Sequence, residues 1–316
     1  MKERSSRQVT SLMSRMKTDS KKTLVILTGP TAVGKTDLSI EIAKNLNTPV
    51  ISFDARQFYK ELKIGVATPS DEQLRAVKHY FIGHLSVADY YNVSMFEKQA
   101  LNVMDKIFES SDYAIATGGS GLYMDVLCYG IDDLPDVSES IRKDVLDFYE
   151  ENGIEGLRFK LKNIDPEYYY EADIANPKRM MRAIETYLST GLRYSELRKK
   201  QQKQRDFKIK KVILNRERTE LFSRINLRVD KMIEEGLVEE ALDMIKFRNY
   251  NALNTVGYKE IYSWIDNTYS LADAIEKIKT NSRRYAKRQI TWFKKYNDAK
   301  WFHPDNYNEI INFIKD

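Results

Sequence analysis

The sequence predicts an α/β fold with a parallel sheet core, helices on both faces of the sheet and an all-helical insertion lobe. Two apolar runs, residues 24–28 and 113–117, each lead through a glycine-rich loop into a helical pattern. Repeated strand, loop and helix units of this kind are typical of a doubly wound parallel sheet. Residues 132–210 are charged and helical in pattern until a strand-like run begins at Lys211, and they are predicted to form the lobe.

Length and composition are those of a soluble globular protein. The chain has 316 residues, 42% of them hydrophobic and 31% charged, which suits one main domain and a second lobe. No apolar run approaches the roughly 20 residues needed to span a bilayer, so no membrane association is expected. The single cysteine, Cys128, excludes an internal disulfide and a cysteine-based zinc cluster and fits a reducing compartment. We expect a cytoplasmic protein that acts as a monomer.

The net charge of +5 is concentrated at one end of the chain. Residues 1–22 hold seven basic and two acidic side chains, and we expect them to form a disordered basic tail. The remaining residues are balanced in charge. Any argument for nucleic-acid binding must therefore rest on where the basic residues lie.

A glycine-bracketed loop follows the first apolar run. Residues 29–36 read GPTAVGKT and match the P-loop spacing G-x-x-x-x-G-K-S/T, and a helical pattern follows. Glycines allow several backbone N–H groups and a helix N-terminus to point at one anion, so we predict a polyphosphate site rather than an ordinary glycine-rich turn. Lys35 would add charge at the outer phosphates, and the Thr36 hydroxyl would be a ligand for Mg²⁺. The predicted phosphate-binding residues are Gly29, Pro30, Thr31, Ala32, Val33, Gly34, Lys35 and Thr36.

The other elements follow in order along the chain. Residues 49–53 read as a second buried strand that delivers Asp54 at its carboxyl end. Helices are predicted over residues 71–80, 94–108 and 178–187, and another begins near Leu122 after the glycine loop 118–121. Residues 211–215 form a further strand, and the remaining chain reads as helices that are broken at Gly236 and near Gly257.

Asp54 is the first candidate for chemistry, because ligands bind at the carboxyl ends of the strands in open α/β sheets. Such a carboxylate can hold a magnesium ion through water or remove a proton from a nucleophile. The competing interpretation is a helix N-cap after a strand.

Two basic stretches are further candidates. Arg224 and Arg228 share one helix face, which suits either an anion or solvent. Residues 282–295 contain six basic and no acidic side chains, interleaved with aromatic residues. This composition suits single-stranded RNA, and equally an amphipathic helix with Trp292 and Phe293 in the core.

Seven motifs in order, from about Leu24 to Phe302, together resemble the tRNA dimethylallyltransferases, also called tRNA isopentenyltransferases. They are GPTAVGKT at 29–36, DARQFYKELKIGVATPS at 54–70, GGSGLY at 118–123, PKRMMRAIETYLSTG at 177–191, RINLRVDKMIEEGLVEEA at 224–241, VGYKE at 256–260 and YAKRQITWFKK at 285–295. The sequence departs from the family pattern at Ala55, where serine is usual, at Lys178, where glutamine is common, and at Tyr80, which follows His79 in place of a second histidine. None of these departures removes the aspartate, the phosphate loop or the arginines of the pattern.

The resemblance implies transfer of a dimethylallyl group from dimethylallyl diphosphate to the N6 amine of the adenosine 3′ of the anticodon, at position 37 of tRNA, with release of diphosphate. Asp54 matches the general base of the family, and Thr31 is a candidate for positioning the reacting centre. Arg228, with Arg224 behind it, looks like an additional clamp on the diphosphate, and Mg²⁺ is the implied cofactor.

The resemblance also implies a set of RNA contacts, with the lobe gripping the anticodon stem-loop and the C-terminal helices binding tRNA beside the core of residues 23–131 and 211–316. The implied tRNA-binding residues are Asp54, Ala55, Arg56, Gln57, Ser120, Arg142, Lys178, Arg179, Met180, Met181, Arg182, Leu253, Asn254, Thr255, Val256, Gly257, Tyr258, Lys287, Arg288, Gln289, Ile290, Thr291, Trp292, Phe293 and Lys294.

Three alternative functions stay open at the level of sequence. A P-loop with a nearby aspartate also suits a nucleotide or nucleoside kinase. A prenyltransferase acting on free adenine nucleotides would use the same chemistry without the basic, aromatic C-terminal segment. A non-catalytic RNA-binding protein would use that segment alone.

Overall fold

The computed structural model describes residues 22–199 and 201–316. The predicted tail, residues 1–22, lies outside the described residues except for Lys22. The Lys22 ammonium donates to the backbone carbonyl of Ser111 at 3.0 Å and to the carboxylate of Asp112 at 3.1 Å.

The strands of the described chain form one parallel sheet in the order β3-β2-β4-β1-β5-β6. The central strand β1 is buried along its whole length, as expected for a parallel strand with both faces covered. The α/β fold class with a parallel sheet is therefore confirmed. The strands are β1 (Thr23–Thr28), β2 (Val50–Ser52), β3 (His79–Tyr80), β4 (Tyr113–Gly118), β5 (Lys208–Leu214) and β6 (Lys300–Phe302).

The helices begin and end at the residue types expected for caps. The side chain of Ser270 accepts from the N–H of Asp273 at the start of the longest C-terminal helix, and Gly191, with a left-handed φ of 71°, ends the helix that opens with Pro177. The helices are α1 (Lys35–Leu46), α2 (Asp71–Ala76), α3 (Val93–Ser110), α4 (Gly121–Tyr129), α5 (Glu139–Ile164), α6 (Pro166–Glu171), α7 (Pro177–Thr190), α8 (Tyr194–Leu197), α9 (Arg218–Glu234), α10 (Leu237–Asp243), α11 (Tyr258–Ile265), α12 (Leu271–Phe293) and α13 (Tyr307–Lys315).

Three sequence-based boundaries were wrong. The helix predicted over residues 71–80 ends at Ala76, and the strand His79–Tyr80 follows it. Strand β5 begins at Lys208, three residues before the predicted start, because lysines interrupt its apolar pattern. Strand β6 was predicted as part of a helical region, and it is a short edge strand with two exposed residues.

The structure divides into two compact units. The first contains the described residues up to Cys128 together with Arg205–Asp316, and the second is Tyr129–Gln204. The second unit has its own apolar core, built from α5, α6 and α7 around Leu157, Tyr168 and Ile184. Across the described residues, no helix has the length and apolar character that crossing a membrane requires.

Candidate active site

Three loops of the first unit start at the same edge of the sheet. In the register of the strands, Thr28 lies beside Gly118, and Ser52 lies beside Thr117. The residues that follow these strands are the P-loop, Asp54 and the glycine loop 118–121. A Cβ atom on Gly118 would lie 2.6 Å from the Phe53 ring and 2.8 Å from the backbone nitrogen of Asp54, so only glycine allows these loops to come this close.

The P-loop has the backbone that its glycines predict. Gly29 and Gly34 have φ values of 152° and 109°, and α1 begins directly after Gly34. The Lys35 ammonium donates to the carbonyl oxygens of Gly29 and Pro30, both at 2.9 Å, and so lies over the loop. Burial lowers the pKa of Lys35 from 10.5 to about 8, although the negative charge of Asp54 acts in the opposite direction. An anion bound at this loop would favour the charged lysine.

Helix α9 adds two arginines to the P-loop. Arg228 donates from Nη1 to the hydroxyl of Thr31 at 3.4 Å, and Arg224 donates from Nε to the carbonyl oxygen of Ala32 at 2.9 Å. Burial lowers the pKa of Arg228, and the charge of Asp54 partly offsets that effect. The structure thus brings the predicted cations and the predicted base into one electrostatically coupled cluster.

The Asp54 carboxylate is held at one oxygen. Its Oδ1 accepts from the backbone N–H of Arg56 at 3.1 Å, which is a turn interaction, and no helix follows within the next residues. The helix N-cap interpretation is therefore wrong. A Cβ atom on Gly119 would lie 3.7 Å from Oδ2, so the second oxygen faces the glycine loop.

These groups line one cavity of about 930 Å³. Thr31, Lys35, Thr36 and Asp54 lie on its wall, together with both arginines of α9. Apolar side chains complete the lining, including Val66, Leu122, Leu227, Met232, Val256 and Ile278. The cavity can therefore hold an anionic group and a short hydrocarbon together.

Gln289 has a role that the sequence did not reveal. It was predicted to contact RNA, but its side chain is only 5% exposed. Its Oε1 accepts from the backbone N–H of Thr31 at 2.8 Å, and its Nε2 donates to the carbonyl oxygen of Gly119 at 2.9 Å. Gln289 on α12 therefore braces the P-loop against the glycine loop.

The predicted RNA-binding positions fall into two groups in the structure. Some side chains are buried, so the prediction that they touch RNA through those side chains is not supported; they are Met180, Leu253, Tyr258 and Phe293. Other side chains are exposed on α12 or in the loop before α11, or lie on α5 and α7 of the second unit. The exposed side chains are Lys178, Arg179, Asn254, Lys287, Arg288, Thr291, Trp292 and Lys294, and the partly buried ones are Arg142, Met181, Arg182, Thr255, Val256 and Ile290.

Several predicted contacts lie at the cavity itself. Arg56 donates to the carbonyl oxygens of Asn251 and Ala252, at 2.5 and 3.3 Å, which ties the Asp54 loop to the segment before α11. The backbone N–H of Ala55 donates to the hydroxyl of Ser120 at 3.0 Å. Gln57 and Gly257 also line the cavity. The cavity wall formed by residues 65–69 was not assigned from the sequence, although these residues belong to one of the seven motifs.

Comparisons with known proteins identify the family of this chain. The sequence model of the IPP transferase family matches residues 57–296. The tRNA dimethylallyltransferase 1 of Bacteroides thetaiotaomicron is 45% identical over 293 residues, which cover 93% of this chain and 95% of that relative.

Solved structures give the same result. The crystal structure of a tRNA isopentenylpyrophosphate transferase from Bacillus halodurans is 35% identical, with a TM-score of 0.66, and covers 93% of this chain and 95% of its own. A structure of a eukaryotic dimethylallyltransferase acting on tRNA is 25% identical, with a TM-score of 0.74, and covers 91% of this chain and 75% of its own. The family match, the sequence identity with these relatives and the shared fold together show that the chain belongs to the IPP transferase family.

Proposed function

We propose that this protein transfers a dimethylallyl group from dimethylallyl diphosphate to the N6 amine of adenosine 37 in tRNA and releases diphosphate. The observation that carries the proposal is the single cavity that combines a P-loop, two arginines and a carboxylate with apolar walls. Relatives over nearly the whole chain are tRNA dimethylallyltransferases. A kinase would need a binding site for a nucleoside, whereas these apolar side chains suit a five-carbon group.

The first part of the reaction is loss of diphosphate. As the C–O bond of the donor breaks, negative charge grows on the leaving diphosphate. The N–H groups of the P-loop, the Lys35 ammonium and the guanidinium of Arg228 would stabilise that charge, with Arg224 adding a second guanidinium. Arg228 also donates to the hydroxyl of Thr31, and this contact would hold Thr31 in its proposed role of orienting the reacting carbon.

The second part is attack by the adenine amine. The N6 nitrogen forms the new C–N bond and loses one proton, and we assign Asp54 as its acceptor. Its Oδ1 is engaged by the Arg56 N–H, which leaves Oδ2 available for the proton. An exocyclic amine is a weak nucleophile, so removal of this proton as the bond forms is the reason for a base here.

The residues at the cavity fit a magnesium ion that keeps most of its water ligands. The described residues contain no group of three or more His, Cys, Asp or Glu side chains that could hold a metal. Magnesium is, however, often bound through one or two protein oxygens and the phosphates of the substrate. Thr36 lies on the cavity wall and would supply its hydroxyl, as predicted. A bound Mg²⁺ would neutralise part of the diphosphate charge.

We assign RNA binding to exposed basic and aromatic side chains. On α12, Lys287 and Arg288 would contact phosphates, as would Lys294 directly after it, and Trp292, 38% exposed, would offer a stacking surface. In the unit Tyr129–Gln204, Arg142, Lys178 and Arg182 lie on α5 and α7 and would grip the anticodon stem-loop. Removing adenosine 37 from its stack costs a few kcal/mol, which these contacts would offset.

We further propose that the enzyme acts as a monomer. A tRNA substrate also agrees with the expectation of a cytoplasmic enzyme.

The deciding experiment is mass analysis of tRNA after incubation with labelled dimethylallyl diphosphate and Mg²⁺. We expect one added five-carbon group on adenosine 37. Turnover of ATP with a nucleoside, without modification of tRNA, would instead indicate a kinase. Modification of free AMP but not of tRNA would indicate an adenylate prenyltransferase, and tRNA binding without any transfer would indicate a binding protein.

A further inference from the structure

The carboxylate of Glu240 on α10 accepts hydrogen bonds from three consecutive backbone N–H groups. Its Oε2 accepts from Lys63 at 2.7 Å and from Ile64 at 2.8 Å, and its Oε1 accepts from Gly65 at 2.9 Å. The hydroxyl of Tyr258 donates to Oε1 at 2.6 Å. Four donors thus converge on one carboxylate, which lies about 175 residues further along the chain than the three N–H groups.

These three residues begin the segment 63–69, here called the wall loop, and residues 65–69 of this loop line the cavity. Gln57 holds the loop at a second point, because its Nε2 donates to the carbonyl oxygen of Ala67 at 2.9 Å. Gln57 is in turn bonded to the Asp54 loop, since its backbone N–H donates to the Asp54 carbonyl oxygen at 3.0 Å. The wall loop is therefore connected to the backbone of the proposed base.

The wall loop contains a backbone conformation that its own residues disfavour. Ala67 has a left-handed φ of 48°, which costs free energy for a residue other than glycine and persists only where the surroundings hold it. Gly65 is needed for a different reason: a Cβ atom there would lie 2.6 Å from the ring of Tyr258. Glycine at this position lets the fully buried Tyr258 reach Glu240 beneath the loop.

Tyr258 remains a donor throughout the range in which the enzyme could work. Burial and the charge of Glu240 raise its pKa far above the ordinary value of 10, so the phenol keeps its proton. The Tyr258 hydroxyl therefore keeps the proton that it donates to Glu240.

We propose that Glu240 is a positioning residue for prenyl transfer, which fixes the wall loop so that the cavity holds the donor facing the adenine amine that Asp54 deprotonates. This inference rests on the proposed function. Without the carboxylate, three adjacent N–H groups lose their common acceptor, and the loop relaxes. A displacement of about 1 Å at such a wall can lower a rate roughly 100-fold. Among the described residues, no hydrogen bond or ion pair joins Glu240 to the P-loop or to the proposed RNA-binding side chains of α12, so ligands at those two places should bind as before.

The test compares three variants in single-turnover prenylation of tRNA. Glu240→Gln keeps the size of the side chain but replaces one acceptor oxygen with a donor. Tyr258→Phe removes only the hydroxyl, and Glu239→Gln changes the exposed neighbour on the same helix as a matched control. We expect Glu240→Gln to lower the rate roughly 10- to 100-fold with unchanged affinities for tRNA and inorganic diphosphate, Tyr258→Phe to lower it less, and Glu239→Gln to match the wild type.

Amide hydrogen exchange supplies a second readout that does not depend on activity. In Glu240→Gln the amides of residues 63–65 should exchange at least about 10-fold faster, while those of the P-loop keep their protection. A Glu240→Gln enzyme within twofold of the Glu239→Gln control, or wall-loop amides with unchanged exchange, would overturn the assignment. Equal losses of prenylation, tRNA binding and diphosphate binding would also overturn it, because they would indicate a general structural role. A wild-type protein that binds tRNA but never prenylates it would refute the proposed function itself.

Discussion

Replacing Asp54 with asparagine should abolish most prenyl transfer without disturbing the fold. Asparagine has the same size and an amide oxygen that can still accept the N–H of Arg56, which Oδ1 accepts at 3.1 Å. The contact of the Asp54 backbone N–H with the Ser52 hydroxyl does not involve the side chain. The substitution therefore removes a charge and a proton acceptor and leaves the loop in place.

The size and direction of the effect follow from the cluster around Asp54. Loss of a general base lowers a rate by about 10²- to 10⁴-fold. Burial lowers the pKa values of Lys35 and Arg228, and the charge of Asp54 opposes this effect because it attracts these cations. Without that charge the cluster becomes more positive, so diphosphate should bind at least as tightly as before. The comparison is made at about pH 6.5, where Lys35 of the wild type, with a pKa of about 8, is largely protonated.

The assay is single-turnover prenylation of tRNA followed by mass analysis, with diphosphate affinity measured by calorimetry and tRNA affinity by filter binding. Asp37→Asn is the matched control, because Asp37 also lies on the cavity wall but its carboxylate accepts from Gln73 at 2.7 Å. We expect the control to stay within a few-fold of the wild type. A rate loss below about 10-fold for Asp54→Asn would refute the assignment of Asp54 as the base, and so would a loss accounted for by weaker tRNA binding.

Three further predictions concern the P-loop. Diphosphate affinity should fall as the pH rises above about 8, because Lys35 is protonated below that value and loses its charge above it. The Lys35→Arg variant should keep its diphosphate affinity to higher pH. Identical pH profiles of the two proteins in calorimetry would contradict this prediction. Gly29→Ala should lower the free energy of unfolding by about 1–3 kcal/mol in thermal denaturation, because its Cβ would lie 2.5 Å from the Leu214 carbonyl oxygen. Gly191→Ala, which also has positive φ but meets no atom within 4 Å, should cost less. Gln289→Leu should lower kcat roughly 10-fold and leave the KM for tRNA unchanged, because the Thr31 N–H and the Gly119 carbonyl lose their hydrogen bonds near the reacting centre. A raised KM with a normal kcat would instead indicate that Gln289 contacts RNA.

The parts of the fold that could be predicted from sequence are those whose signal is local. Strand β1, the P-loop and α1 are consecutive, and their pattern of apolar residues, glycines and helical spacing is complete within about 25 residues. Asp54 could be predicted for a similar reason, because a carboxylate directly after a buried strand must lie at the ligand edge of a parallel sheet.

The parts that could not be predicted depend on distant residues. Strands β3 and β6 have two and three residues, and only their pairing with β2 and β5 makes them strands. The bond between Gln289 and Thr31 spans 258 positions, and that between Glu240 and Lys63 spans 177. A glutamine on a basic helix and a glutamate on an acidic one have no local feature that reveals such a partner.

Helix α12 explains why two interpretations of residues 282–295 competed at the level of sequence. Ala286, Gln289 and Phe293 are buried, as an amphipathic core helix requires, whereas Lys287 and Arg288 are exposed, as an RNA-binding helix requires. The buried face agrees with the core-helix interpretation except at Trp292, which was expected in the core and is 38% exposed. RNA binding by the exposed face stays a prediction. Since the buried face carries the acceptor for the Thr31 N–H, a shift of α12 upon binding RNA would move the P-loop, and the placement of the donor would depend on the acceptor.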